Sequence, residues 1–258
     1  FDQKKIDKTL IDLDGTEQKS NLGANSILAV SIAASKLAAA CKNISLYKYL
    51  GTATSNELPL PMMNIINGGV HANNMLRIQE FMIRPENPKT FSESIRMCFM
   101  VIQNLKKIIN KKNLSTTVGD EGGFAPALNN NEEAIELILE SIEKSGFTPD
   151  KDISICLDIA SNELFKDEKY SIKSKKFEDT ESTINYYLDL IEKYSIKSIE
   201  DPFSEDDWSS WINFMKCLKD KNKKIQIVGD DLFVTNKIRL TKGIKTQAAN
   251  AILIKPNQ

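Results

Sequence analysis

One histidine and four cysteines are the whole supply of nitrogen and sulfur metal ligands in 258 residues. Cys41, Cys98, Cys156 and Cys217 are scattered and form no CxxC pair. A zinc site is therefore not expected, and buried, reduced thiols of a cytoplasmic protein are. The chain also lacks an excess of either charge: its formal net charge of −1 gives no reason to propose nucleic acid or an acidic membrane surface as partner. It lacks a long uninterrupted apolar run, since the longest, ILAVSIAASKLAAA, carries serine and lysine, so no membrane span is expected. An initiating methionine is missing, and FDQKKIDKTL has no signal-peptide shape. With the abrupt end at ILIKPNQ, this leads us to expect an internal piece of a longer protein. Neither a sequence repeat nor a low-complexity segment is present.

What is there is ordinary for a globular protein, 41% hydrophobic and 27% charged, with length enough for one large α/β domain or a main domain and a smaller partner. Residues 23–42 are Ala-rich and apolar at helical spacing, which predicts a helix buried on most sides. LPLPMMNIINGG then breaks the pattern with two prolines and a Gly pair, and a domain boundary is placed there, giving residues 1–57 and 58–258. A strand follows in this segment and another in LRIQEFMIRP, close enough to lie antiparallel. Two helices come next, one over about 93–112 and one with Ile135, Ile138, Leu139 and Ile142 on one face and Gly146 as its stop.

From there strands and helices alternate. ISICLDIA, IKSIEDPF, IQIVGDDL and AILIKPNQ read as strands. The helices between them show Ile184, Tyr187, Leu188 and Ile191, then Trp208, Trp211, Met215 and Leu218, then NKIRLTKGIKTQ. Ser204 with Glu205, Asp206 and Asp207 reads as the cap and acidic first turn of the second of these. Ile- and Val-rich strands separated by helices imply parallel β/α units and a β/α barrel. Ile252, Leu253 and Ile254 read as a strand buried on both faces.

Three successive strands finish with an acid, Asp158, Glu200 and Asp230, and the fourth finishes with Lys255. Strand C-termini of a β/α barrel converge on one face, so these four side chains are expected to meet. Three neighbouring carboxylates cannot all stay ionised without a cation. With oxygen ligands only, that cation is hard: Mg²⁺ first, Mn²⁺ second. A lysine beside a divalent cation in a partly desolvated pocket has a lowered pKa and can act as a base. VGDEGGFAP adds Glu121 among three glycines, which permit unusual backbone angles and close ligand approach. His71 follows another Gly pair, and a loop histidine by itself is weak evidence. Gln79 and Glu80 alternate in a strand, so at most one points into the barrel unless a bulge intervenes.

Taken together, LDGTEQKSNLGANSILAVSIA, PMMNIINGGVHANN, IQEFMI, VGDEGGFAP, LDIASNELF, SIEDPF, VGDDLFVTN and ILIKPNQ resemble the blocks of the enolase (phosphopyruvate hydratase) family, in that family's order. The resemblance implies part of an α+β N-terminal domain followed by an α/β, enolase-type barrel, incomplete here, that opens with two antiparallel strands and two helices. Residues 1–57 would be the helical end of the first domain, and 58–258 the first six strands of the second. It implies dehydration of 2-phosphoglycerate to phosphoenolpyruvate in a cytoplasmic homodimer. Lys255 would remove the proton α to the carboxylate and Glu121 would help the hydroxyl leave. His71, Gln79 and Glu80 would contact substrate, and Asp158, Glu200 and Asp230 would hold Mg²⁺. The family's mobile Gly/Ser loop would lie upstream of Phe1 and its last two strands downstream of Gln258, so these residues alone are expected to be inactive and prone to aggregate. Pro256 and the neutral HANN depart from the family pattern. The readings set against this one are a non-catalytic enolase-like binding or structural protein, and a sister enzyme acting on another carboxylate.

Overall fold

The structure, a computed structural model, describes residues 2–52, 56–119, 121–194 and 196–257. It divides into two compact units, Phe1–Pro59 with Lys255–Gln258, and Leu60–Ile254.

The first unit contains helices α1 (Gln3–Asp14), α2 (Ala24–Cys41) and α3 (Leu46–Leu50). Asp2 caps α1 by accepting from the Lys5 N–H, and Gly15 ends it in the left-handed region, φ +69°. Buried Asp14 accepts the backbone N–H groups of Thr16, Asn21 and Leu22, which fixes the connection into α2. Contrary to the sequence reading, α2 is not buried on most sides: Ile27, Ser35, Ala38 and Ala39 are buried, while Val30, Ile32 and Leu37 are exposed. Among the described residues of this unit α1 and α3 are the helices that pack on it, and two shorter helices do not cover an 18-residue cylinder. By length and composition α2 is also the one helix among the described residues that meets the dimensions of a membrane span. Its tie to α1, in which Ser31 donates to Asp7 and accepts from Gln3, is that of a packed helix.

The second unit is built on six strands: β1 (Met63–Asn67), β2 (Glu80–Pro85), β3 (Ile153–Asp158), β6 (Ile196–Glu200), β7 (Gln226–Gly229) and β8 (Ala251–Ile252). A small hairpin, β4 (Phe165–Lys166) with β5 (Lys169–Tyr170), stands apart from the sheet. The sheet order is β1-β2-β3-β6-β7-β8, antiparallel through the first two pairings and parallel through the last three. Among the described residues β1 and β8 do not pair, so the barrel is not closed. Helices α4 (Phe91–Lys111) and α5 (Asn131–Lys144) separate β2 from β3, and α6 (Thr180–Lys193), α7 (Trp208–Asp220) and α8 (Lys237–Thr246) follow β3, β6 and β7. The apolar stripes anticipated on these helices face the core, with Ile135, Ile138, Ile142, Ile184, Tyr187, Leu188, Ile191, Trp211 and Leu218 buried.

Several local expectations change. The second strand starts at Glu80 rather than Leu76, because Leu76 to Gln79 are spent on the return from the preceding loop. Asp207, not Ser204, caps α7 by accepting the Ser210 N–H. Ser204 instead receives the Trp211 indole on its carbonyl and donates its N–H to the Tyr170 hydroxyl. The hairpin β4–β5 was not foreseen, since two-residue strands carry no period. The final strand is only Ala251–Ile252, half-buried, and Ile254 is exposed. Among the described residues β8 pairs on one side only, with β7, and Gln258 lies outside them. All four cysteines are free, but only Cys98 and Cys156 are buried, with their thiols pushed up to about 11 and about 12 by burial; Cys41 is exposed.

Two groups rigidify the face that carries the strand C-termini. Tyr187 donates to the Pro202 carbonyl and packs edge-on against Phe203, beside Phe214 and Trp211, so the turn after β6 rests on aromatic rings. Fully buried Asn131, at the start of α5, accepts the N–H groups of Arg77 and Ile78 and donates to the Ile172 carbonyl and the Tyr186 hydroxyl. Asn131→Ala in the full-length protein should therefore lower unfolding free energy by roughly 2–4 kcal/mol in urea denaturation, because several buried partners lose their bonds at once. A change below about 0.5 kcal/mol would show that this clamp is replaceable by water.

Candidate active site

β-sheet register does most of the assembly. Glu80 on β2 is the lateral partner of Asp158 on β3, and Asp158 is the partner of Glu200 on β6. Glu200 in turn faces Val228, so Asp230 follows at the end of β7, just past Gly229. Adjacent strands lie about 5 Å apart, so this register sets three carboxylates in one row across the sheet. Asp158, Glu200 and Asp230 are each 8% exposed.

Burial comes first in raising the Asp158 carboxyl above the usual carboxylate range; the Ala160 N–H and the Gln79 amide oppose it, and Asp230 and Asp231 add to it. Glu200 is raised by burial first, then by Asp158, Asp201, Asp230 and Glu80. Asp201 is pushed up to about 8, again chiefly by burial. The shared cause is that low-dielectric surroundings and like charges disfavour the ionised forms together. Oxygen donors held this way suit a hard divalent cation.

A second cluster stands on the loops. His71 ends the short 3-10 turn Gly69–His71. Its Nδ1 is 3.9 Å from Glu80 Oε1 and its Nε2 is 4.0 Å from Glu121 Oε1. His71, Glu80 and Glu121 thus each bring one donor atom within 4.8 Å of the others. His71 Nδ1 is buried and makes no hydrogen bond, although it faces the Glu80 carboxylate. Gln79 and Glu80 both reach the site, although strict alternation would admit only one. Gln79 precedes the strand, where the period no longer applies, and its Nε2 donates to Asp158 Oδ2 at 3.3 Å while Glu80 stands by His71.

The loop carrying Glu121 is held like an extra strand on β1. The Asn67 N–H donates to the Phe124 carbonyl, the Phe124 N–H to the Ile65 carbonyl, and the Asn67 amide to the Gly123 carbonyl at 2.6 Å. Of the glycines around Glu121, Gly122 supplies the unusual backbone angle, φ +91°, and Gly119 and Gly123 serve this contact. A Cβ on Gly119 would lie 2.5 Å from the Asn67 amide nitrogen, and one on Gly123 would lie 2.8 Å from the Ile65 carbonyl carbon. Asn67 is fully buried and escaped the sequence reading; the asparagine in INGG was the available signal.

Asp201 and Asp231, the second acids of the doublets in SIEDP and VGDDL, were also missed. With Asp230 they form a group whose oxygens lie within 4.8 Å of one another. Asp158 and Glu200 do not belong to that tight group; they reach Asp230 through charge and register. Lys255 falls outside β8, is half-buried, and is grouped with the first unit. It follows by two residues Leu253, whose N–H donates to the Gly229 carbonyl at 3.0 Å.

Residues 55–258 match the family model described as the enolase C-terminal TIM barrel domain, and residues 1–50 match the enolase N-terminal domain. The chain is 60% identical over 257 residues to the enolase of Pelagibacter ubique (strain HTCC1062), an alignment covering 100% of this chain and 60% of that protein. It therefore spans about three fifths of the length of the curated relative it matches. With both domain models matched in order and the acid row formed by register, the chain belongs to the enolase family.

Proposed function

We propose that the protein is a phosphopyruvate hydratase, catalysing the reversible, Mg²⁺-dependent dehydration of 2-phosphoglycerate to phosphoenolpyruvate as a glycolytic enzyme. The observation that carries this reading is the row Glu80–Asp158–Glu200, extended by Asp230 and flanked by the His71–Glu121 pair. A proton next to a carboxylate is very weakly acidic, so the reaction needs a base, an acid for the departing hydroxyl, and positive charge against the dianion that develops.

The acids fit a cation by their chemistry. Buried carboxylates that raise one another need a positive charge to stay ionised, and they offer only oxygen. Asp158, Glu200 and Asp230 would hold Mg²⁺, with Mn²⁺ as substitute, which supplies charge at the substrate carboxylate when bound. Lys255 takes the α-proton. Glu121 gives a proton to the hydroxyl that leaves as water. His71, whose Nδ1 makes no hydrogen bond, binds substrate, as do Gln79 and Glu80. Cytoplasmic residence and a homodimer belong to the same proposal and rest on the family likeness.

In the full-length protein, Lys255→Ala should lower kcat by roughly 10²–10⁴-fold while Mg²⁺ affinity by calorimetry stays near that of the unaltered protein. Lost metal affinity would instead make the lysine structural. An unaltered full-length protein that binds Mg²⁺ but leaves 2-phosphoglycerate untouched would favour a non-catalytic enolase-like protein.

Linkage gives a second test. Asp158, Glu200 and Asp201 have folded-state pKa values above their unfolded ones, so their contribution to stability is complete below the ordinary carboxylate range. It is lost as pH rises through the raised values, past about 8 for Asp201. Metal-free protein should therefore lose stability from weakly acid to weakly alkaline pH, and Mg²⁺ should offset that loss. The rise in Tm on adding Mg²⁺ should be roughly 5 °C larger at pH 8 than at pH 5.5. An equal rise at both pH values would mean that Asp158 and Glu200 do not face the metal.

A further inference from the structure

We infer that Asp201 is the positioning residue of the proposed cation site: its carboxylate clamps the backbone on which Asp230 stands, and does not itself take the metal. This rests on the metal reading given above. Asp201 is 4% exposed. Its Oδ1 accepts the Asp230 N–H at 3.0 Å and its Oδ2 accepts the Asp231 N–H at 2.8 Å. Each oxygen is thus directed at a different N–H of the same turn, as a capping carboxylate is, and is turned toward the protein backbone.

The clamp is anchored from two other strands. The Asp201 N–H donates to the Val228 carbonyl on β7 at 3.0 Å, and its own carbonyl accepts the Ser161 hydroxyl at 2.7 Å from the turn after β3. One residue therefore joins the C-terminal ends of β3, β6 and β7, which are the three strands that present Asp158, Glu200 and Asp230. The conformation needed for this is unfavourable. Asp201 has φ +40°, uncommon for a residue with a Cβ, and it precedes Pro202, which further restricts its backbone. Such strain persists only where surrounding contacts over-determine it, and the Ser161, Val228 and Asp230 bonds do so here.

Asp201→Asn keeps the shape but offers one oxygen, and turns an amide N–H₂ toward one of the two backbone donors. In the full-length protein, it should weaken Mg²⁺ binding, measured by calorimetry with the metal alone, by roughly 10–100-fold while far-UV circular dichroism stays unchanged. At saturating Mg²⁺, KM for 2-phosphoglycerate should return to the value of the unaltered protein. A folded Asp201→Asn protein that binds Mg²⁺ within about twofold of the original overturns the inference. Should Asp201→Asn fail to fold, Ser161→Ala decides: at least about threefold weaker Mg²⁺ binding supports the clamp, and unaltered binding overturns it. Asp230→Asn separates this inference from the reading beneath it. If Asp230→Asn binds Mg²⁺ as the original does, the metal reading fails and the clamp with it; if it loses Mg²⁺ while Asp201→Asn does not, only the clamp is overturned.

Discussion

Carboxylates buried next to one another repel, and removing each from water costs more than a single neighbouring hydrogen bond returns. That cost is the constraint around which the second unit is organised. Nothing in sheet formation requires Glu80, Asp158 and Glu200 to align, yet the register puts them in one row with Asp230 at its end. The surroundings then offset the cost by fixed dipoles: the Ala160 N–H and the Gln79 amide on Asp158, and the Asp230 and Asp231 N–H groups on Asp201. Those donors hold position only if the turns after β3, β6 and β7 do. The turns are in turn fixed by apolar packing, with Tyr187, Phe203, Phe214 and Trp211 beneath the β6–α7 connection.

The loops solve a different problem. Glu121 is more than half exposed and sits in a segment with no helix or regular strand of its own. Its place comes from hydrogen bonds to β1 through Asn67 and from glycines that let two backbones approach within contact distance. An acid brought near a histidine in this way is placed by its loop's hydrogen bonds, whereas the acids of the row are placed by the sheet. On the proposed reading, the proton donor would stand on a hydrogen-bonded loop and the cation's ligands on the sheet.

The strand-helix alternation, the antiparallel opening and the acids at the strand ends were legible because each has a period or a repeated position. Ile135, Ile138 and Ile142 declare a helix face by spacing alone, and Asp158 and Glu200 declare themselves by ending Ile-rich runs. Where the reading failed, no local signal existed. The exposure of α2 depends on what else packs against it, and Ala-rich composition does not encode that. The cap of α7 moved from Ser204 to Asp207 because Tyr170 and Trp211, distant or later in the chain, took the Ser204 backbone. Among the described residues β8 is half-buried and pairs on one side only, a topological fact that ILIK does not state.

The doublets make the same point at the level of single residues. In SIED and in GDD two acids stand side by side, and sequence alone offers no reason to prefer one for the chemistry. The backbone separates them. Glu200 ends its strand in register with Asp158, so it joins the row; Asp201, one step on and in the left-handed region, turns its carboxylate into the next turn's N–H groups. Asp230 follows β7 beside the row, while Asp231 accepts the Asn162 amide at 2.9 Å and ties the β7 turn to the turn after β3. Asn162 also reaches Glu205, in the connection that leads to α7. On the proposed reading, each doublet thus gives one acid to the site and one to the architecture that aims it. In GDD the two residues are identical, so there the division is made by backbone direction rather than by residue type.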